Sequence, residues 1–320
     1  MSKILVTGGA GFIGSHLVKR LLEGGDEVIV IDNLSRGNKL DRTILDSITL
    51  VKGDVREYAT LREYAVGCDL IYHFAAVLGV DIVADNPIET METEIIGMKN
   101  VVEAAIYHGV KKVLYASTSG VYGHSAIERS VTEDIQLDPK TSYSIAKRYN
   151  EIFLAAVYEE KRLEAVSLRF FNVYGPRQDS RMVIPRFFEQ ALMNDPITVY
   201  GSGDQTRDFT YVDDVVTASI KLAETVSGCE IFNIAYGRDI TIMEIAEKIK
   251  NVTRSRSPII KMEPPKKRYD FEVERRSGCS DKLCNAIDYK PTTTIEEGLA
   301  KVYEVYRPER TSSDNPAAKV

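Results

Sequence analysis

The feature that most constrains the fold is a glycine-rich turn, Thr7-Gly8-Gly9-Ala10-Gly11-Phe12-Ile13-Gly14. It lies between an apolar β-type run, Lys3 to Thr7, and a helix-period stretch, Ser15 to Glu23. Glycines at 8, 11 and 14 leave the main chain bare, so a pyrophosphate can approach the amino end of the helix. Unpaired N–H groups and the helix dipole favour an anion there. A second apolar run, Glu27 to Asp32, ends in a carboxylate 18 residues beyond Gly14. Such a carboxylate accepts hydrogen bonds from an adenosine ribose 2′-hydroxyl and repels a 2′-phosphate, which selects NAD over NADP. Arg36, close behind, is the residue that argues the other way.

Further apolar runs follow at Ile48 to Lys52, Leu70 to Phe74, Lys112 to Ser117 and Ala165 to Phe170, with helix-period segments between them. This βαβ rhythm predicts an α/β fold, a Rossmann-type doubly wound parallel sheet whose ligands sit at the carboxyl ends of the strands. After about Phe171 the texture changes to Gly/Pro-rich turns between shorter elements, which predicts a smaller C-terminal substrate-binding domain. The expected division is a dinucleotide domain over 1–170, with 211–235 returning to it through a late strand at Ile231 to Ala235. Residues 171–210 and 236–307 form the substrate part, and 308–320 a flexible tail. The charge-rich stretch Arg254 to Arg276 carries three prolines and reads as a loop.

Composition excludes other classes. A net charge of -6 provides no basic field for a nucleic acid, and no run approaches the ~18 apolar residues that span a bilayer. The apolar run at the N-terminus is too short for a signal peptide, so a cytoplasmic protein is expected. Cys279 and Cys284 are spaced C-x4-C without a second pair or a nearby histidine, so all four cysteines read as free thiols and no metal is expected.

Tyr143-Ser144-Ile145-Ala146-Lys147 opens a strongly helical stretch running to about Lys161. Residues four apart share a helix face, so the ammonium lies beside the phenol and, with a nicotinamide cation, lowers its pKa. A tyrosinate near neutral pH is what a general base for alcohol oxidation requires. Upstream, the run Lys112 to Ala116 leads into Ser117-Thr118-Ser119-Gly120-Val121-Tyr122-Gly123, placing hydroxyls at the carboxyl end of a parallel strand.

Together these residues resemble the extended short-chain dehydrogenase/reductase family, in its sugar-nucleotide epimerase/dehydratase branch, from Lys3 to about Tyr306. The resemblance implies Thr118, Tyr143 and Lys147 as the catalytic set. It implies a cofactor site of Gly8, Gly11, Phe12, Ile13, Gly14, Asp32, Asn33, Asp54, Val55, Phe74, Ala75, Ala76 and Phe170, shared with Tyr143 and Lys147. Gly53-Asp54-Val55 is similar to the adenine-contacting segment, and Leu168 to Pro176 to the segment that closes on the nicotinamide and offers Asn172 to the substrate diphosphate. Arg207, in Thr206-Arg207-Asp208-Phe209-Thr210-Tyr211-Val212, matches the phosphate-clamping arginine, and Val199 and Tyr200 fall where the family lines the nucleobase pocket. Arginine forks match phosphate oxygens, and Arg268, Arg275 and Arg276 are candidates for a second clamp.

Two positions depart from the family pattern. After the catalytic threonine the 4,6-dehydratases carry Asp-Glu, and the nucleotide-glucuronate decarboxylases a glutamate in the second place; here stand Ser119 and Gly120. Neither moves a proton in that role, so the resemblance implies chemistry needing hydride transfer and one base. The expected activity is an NAD-dependent 4-epimerase of a UDP-hexose, UDP-N-acetylhexosamine or UDP-uronic acid. The alternatives are a C4 dehydrogenase or reductase, a UDP-glucuronate decarboxylase, and a catalytically silent NAD sensor. Glu94 stands where relatives usually carry asparagine, and either alters substrate choice or faces away. By the same analogy, helices over Glu94 to His108 and Ser142 to Lys161 pair two copies into a homodimer.

Overall fold

Alternate residues of the first strands enter opposite cores. Ile4, Val6, Val28 and Val30 face one side of a sheet, while Leu5, Ile29 and Ile31 face the other. A strand buried on both faces is apolar at every position, which is why these segments read as continuous runs. The computed structural model describes residues 1–77, 79–126, 130–263 and 274–307. Its main sheet has seven strands, in spatial order Cys229–Ile234, Glu164–Phe170, Lys112–Thr118, Leu70–His73, Lys3–Thr7, Glu27–Asp32 and Thr49–Lys52. Every neighbouring pair is parallel. This is the expected doubly wound α/β sheet. The strand order reverses beside Lys3–Thr7, and a crevice opens at the carboxyl ends there.

One face is covered by helices Phe12–Glu23 and Val212–Thr225, through Leu17, Val18, Leu21, Val215, Val216 and Leu222. Helices Tyr58–Tyr64, Pro87–His108 and Ser142–Lys161 cover the other, through Leu61, Met98, Val101, Ala105 and Leu154. Two of these helices begin earlier than periodicity indicates. Phe12 follows directly on the glycine turn, and Pro87 supplies the first residue of its helix, where a missing N–H costs nothing.

Beyond the strand ends lies a second layer. Thr206–Tyr211 is flanked by Asn172–Tyr174, Asp239–Thr241 and Arg275–Arg276, and Ile197–Tyr200 pairs with Ile259–Met262. Helices Val183–Met193, Ile242–Thr253 and Ile295–Tyr306 close a separate core around Phe187, Phe188, Val199 and Ile245. The stretch expected as a loop, 254–276, therefore carries the strand Ile259–Met262 and the short strand Arg275–Arg276. Most of Ile259–Met262 is exposed, so it lacks the alternation that marks a half-buried strand; its partner strand induces it. Residues 264–273, with Arg268, and the tail 308–320 lie outside the described residues.

Among the described residues no helix is long and apolar enough to cross a membrane, and no cluster of His, Cys, Asp or Glu is placed to hold a metal. Cys68, Cys229, Cys279 and Cys284 are unbridged thiols.

A buried polar knot ties the strands Lys112–Thr118 and Glu164–Phe170 to the helix Ser142–Lys161. Arg169 donates from Nε and Nη2 to Glu151 at 2.9 Å each, and Ser117 donates to the same carboxylate at 2.7 Å. Arg169 Nη1 also donates to the Tyr122 hydroxyl at 2.9 Å. Burial would raise the Glu151 carboxyl, but the bonds from Arg169, Ser117 and Arg148 hold it below its ordinary range. Removing one partner strands a buried charge. Arg169→Met is therefore expected to cost about 3–5 kcal/mol of stability, read from the midpoint shift in urea unfolding.

Candidate active site

The glycine turn works by exclusion. Gly8 has a φ of +73°, and a Cβ there would lie 2.5 Å from the Ala75 nitrogen; at Gly14 a Cβ would lie 2.2 Å from the Gly8 carbonyl oxygen. Side chains are thus barred where strand, turn and helix meet. Gly11, at the N-cap of Phe12–Glu23, offers no side chain to the first-turn N–H groups. N–H groups left without a cap at a helix amino end, beside the carboxyl end of Lys3–Thr7, suit a dinucleotide pyrophosphate. Phe12 and Ile13 are partly buried in this first turn.

Asp32 ends the second strand and accepts from the Ala10 N–H at 3.0 Å and the Leu34 N–H at 2.8 Å. Burial raises its carboxyl, and the two N–H bonds oppose the shift. The same group that fits the ribose hydroxyl also holds the glycine turn against the next loop. Asn33 is exposed beside it, and Asp54 is clamped by Arg56 at 2.7 and 3.0 Å, which holds its carboxyl low. Val55 is buried. Arg36, the residue that argues for a 2′-phosphate, lies 3.6 Å from Asp179 in an ion pair.

On the other side of the crevice, the Phe74 N–H donates to the Thr7 carbonyl at 3.0 Å, and Ala75 and Ala76 continue past the strand end partly buried. Phe74 meets Phe170 edge to face at 5.7 Å, joining two of the cofactor-side residues. His73 Nδ1 lies 2.7 Å from the Thr7 hydroxyl. Burial, with help from Lys147, pushes His73 down to about 3, so this ring is neutral.

Thr141 caps the Ser142–Lys161 helix and fixes where it starts. Tyr143 consequently falls in the first turn with its hydroxyl toward Thr118, the last residue of its strand. One turn on, the Lys147 ammonium lies 5.3 Å from the Tyr143 ring centre and 4.7 Å from that of Tyr115. It donates to the Ala116 carbonyl at 2.7 Å and pairs with Glu94 at 2.9 Å. The three expected catalytic residues are thus together. Burial raises the Tyr143 phenol, the Glu94 charge adds to that, and the Thr118 hydroxyl opposes it. Ser119 is buried, and the Gly120 N–H donates to the Thr118 oxygen at 3.0 Å.

Of the expected substrate residues, Asn172, Val199, Tyr200, Arg207 and Arg275 sit in the second layer. Asn172 opens a strand that runs parallel to Thr206–Tyr211. Val199 is fully buried in the core, and its neighbour Tyr200 carries the Arg186 guanidinium 4.7 Å from its ring centre. Arg207 donates to the Thr206 carbonyl at 2.7 Å. Arg275 forms a two-point pair with Asp239 at 2.8 and 3.3 Å, whereas Arg276 is the register partner of Arg207 on the adjacent strand. Motif reading passed over Asp239, Tyr115 and Asn150. Asn150 donates to the Tyr115 hydroxyl at 2.9 Å and to the Glu94 carbonyl at 3.0 Å. Tyr115 lies on a strand buried on both faces, where position carries no signal.

The sequence model of the NAD dependent epimerase/dehydratase family matches residues 4–235. A UDP-N-acetyl-alpha-D-glucosaminuronate decarboxylase of Bacillus cytotoxicus is 35% identical, over 95% of this chain and 98% of that protein. The UDP-glucose 4-epimerase of Thermotoga maritima, solved with UDP-glucose, superposes with a TM-score of 0.89 at 33% identity, over 95% of this chain and 98% of the other. The UDP-glucose 4-epimerase of Thermus thermophilus, solved with NAD, gives 0.87 at 30% identity, over 96% and 99%.

Asp32 carries the test of the cofactor end. Replacing it with alanine removes a charge-assisted acceptor and two loop anchors. Asp32→Ala is expected to weaken NAD binding on the order of 10- to 100-fold in calorimetric titration, with NADP gaining relative to NAD.

Proposed function

This chain belongs to the NAD dependent epimerase/dehydratase family, and from that premise we propose that it is a nucleotide-sugar 4-epimerase. The observation that carries the reading is the set of groups around Thr118. Tyr143 meets it, Ser119 is buried, and Gly120 supplies no side chain. An elimination needs a second acid and base there; a 4-epimerase needs one base.

Bound NAD supplies the acceptor, and later the donor, of the C4 hydride. Lys147 and Thr118 favour the phenolate of Tyr143, which takes the proton of the sugar 4-hydroxyl. Thr118 holds the same oxygen through its own hydroxyl. Arg207, Arg276 and Asn172 bind the diphosphate between the sheet ends and the second layer. That anchorage lets the 4-keto sugar turn over while its nucleotide stays in place. Tyr143 then returns its proton to O4 while C4, now presenting its opposite face, regains its hydrogen with inverted configuration, and the cofactor ends as it began.

A second reading, decarboxylation of a nucleotide uronate, is favoured by the name of the Bacillus cytotoxicus relative. Oxidation at C4 makes a uronate a β-keto acid, which loses CO2 readily, so the same first step serves both outcomes. Protein without added NAD is expected to interconvert at least one pair among UDP-glucose and UDP-galactose, their N-acetyl forms and their uronic acids. CO2 release from a uronate would establish the second reading, net NADH formation a C4 dehydrogenase, and inactivity throughout with NAD retained a silent sensor. Tyr143→Phe is expected to lower turnover by about 100-fold or more while leaving bound NAD in place.

The working form proposed is a homodimer. Helices Pro87–His108 and Ser142–Lys161 lie side by side and leave Ile96, Ile106, Ile145, Tyr149 and Ile152 exposed on their outer face, Ile152 by 55%. A second copy presenting the same pair would bury this stripe in a four-helix bundle. Ile152→Glu with Tyr149→Glu is expected to convert a dimer to a monomer in light scattering.

A further inference from the structure

Lys147 and Glu94 are both fully buried, and their charged atoms lie 2.9 Å apart. Besides the Pro87–His108 helix that carries Glu94, three elements enclose the pair. The Ser142–Lys161 helix brings Lys147, Tyr143 and Asn150; the Lys112–Thr118 strand brings Tyr115 and the Ala116 carbonyl; the Leu70–His73 strand brings His73, neutral and close enough to feel the ammonium. In this enclosure the carboxylate answers a buried ammonium; an amide of similar size would fill the space but leave that charge without its counter-ion.

We propose that Glu94 is a positioning residue for the Tyr143–Lys147 pair: it holds the ammonium beneath the phenol and attenuates the positive field by which lysine promotes phenol ionisation. The inference rests on the reading of Tyr143 as the base. Burial and the Glu94 charge both push the Tyr143 phenol up, which agrees with the sign of the effect. Burial also raises Glu94 itself, opposed by Lys147. The base is thus set by an ion pair of no net charge, and the nicotinamide cation supplies the unbalanced positive charge that ionises it. Ionisation of Tyr143 is thereby tied to an oxidised cofactor being in place.

The test needs no substrate, so it stands even if the epimerase reading fails. Ultraviolet difference titration of NAD-saturated protein, with the matching Tyr143→Phe protein as reference, isolates one phenol among the 17 tyrosines. In Glu94→Gln the midpoint is expected about one pH unit below wild type, a tenfold gain in phenolate at a given lower pH. Glu94→Asp, which keeps the charge, is expected to keep the wild-type midpoint. Should Glu94→Gln fail to retain NAD, Glu94→Asn, with room for a water beside Lys147, is read on the same scale. An unchanged or raised midpoint in the amide variants overturns the proposal. Collapse of both amide variants with Glu94→Asp intact does so too, since it makes Glu94 a counter-ion for folding alone.

Discussion

A lysine ammonium with no contact to water must be held by its surroundings, and much of the site follows from how Lys147 meets that demand. Its charge is answered by the Ala116 carbonyl at 2.7 Å, the Glu94 carboxylate at 2.9 Å and the faces of Tyr115 and Tyr143. Those partners belong to a strand and two helices on one side of the sheet. Fixing the ammonium therefore fixes the depth and rotation of the Ser142–Lys161 helix against Lys112–Thr118. Tyr143, one turn before it, is brought to Thr118 by the same docking. The bidentate Arg169–Glu151 pair, with Ser117 bonded to the same carboxylate, pins the next stretch of that helix.

The dinucleotide end obeys the opposite rule. Nothing is added there; side chains are removed so that main chain can serve as the ligand surface. Gly8 and Gly14 are required by contacts of 2.5 and 2.2 Å that any Cβ would make. Asp32 then ties the turn to the following loop by accepting from the Ala10 and Leu34 N–H groups. A short turn with such strict steric terms leaves a sharp trace in sequence, whereas a buried ion pair assembled from residues 53 apart leaves almost none.

The second layer shows how far motif reading reaches. The RDFTYV stretch marked Arg207, and the register of Arg275–Arg276 against it places Arg276, not Arg275, opposite that residue. Arg275 is occupied by Asp239, a pairing that needs a third strand and has no local signature. Val199 belongs to the core by its side chain, so a motif position can mark a strand rather than a contact. Charge and three prolines make 254–276 read as a loop, yet pairing with Ile197–Tyr200 makes Ile259–Met262 extended although most of it is exposed.

The amino-acid sequence alone determined the parallel sheet, the glycine turn with its acidic partner, and the placing of Tyr143 and Lys147 on one helix face. Each is encoded by residues near in the chain, or by apolar runs whose period matches their element. Tertiary structure alone decided the direction of Glu94, the partner of Arg275, the tie between Arg36 and Asp179 and the strand within 254–276. These depend on which distant segments are packed together, and a side chain's charge is answered by whatever the fold brings within a few ångströms of it.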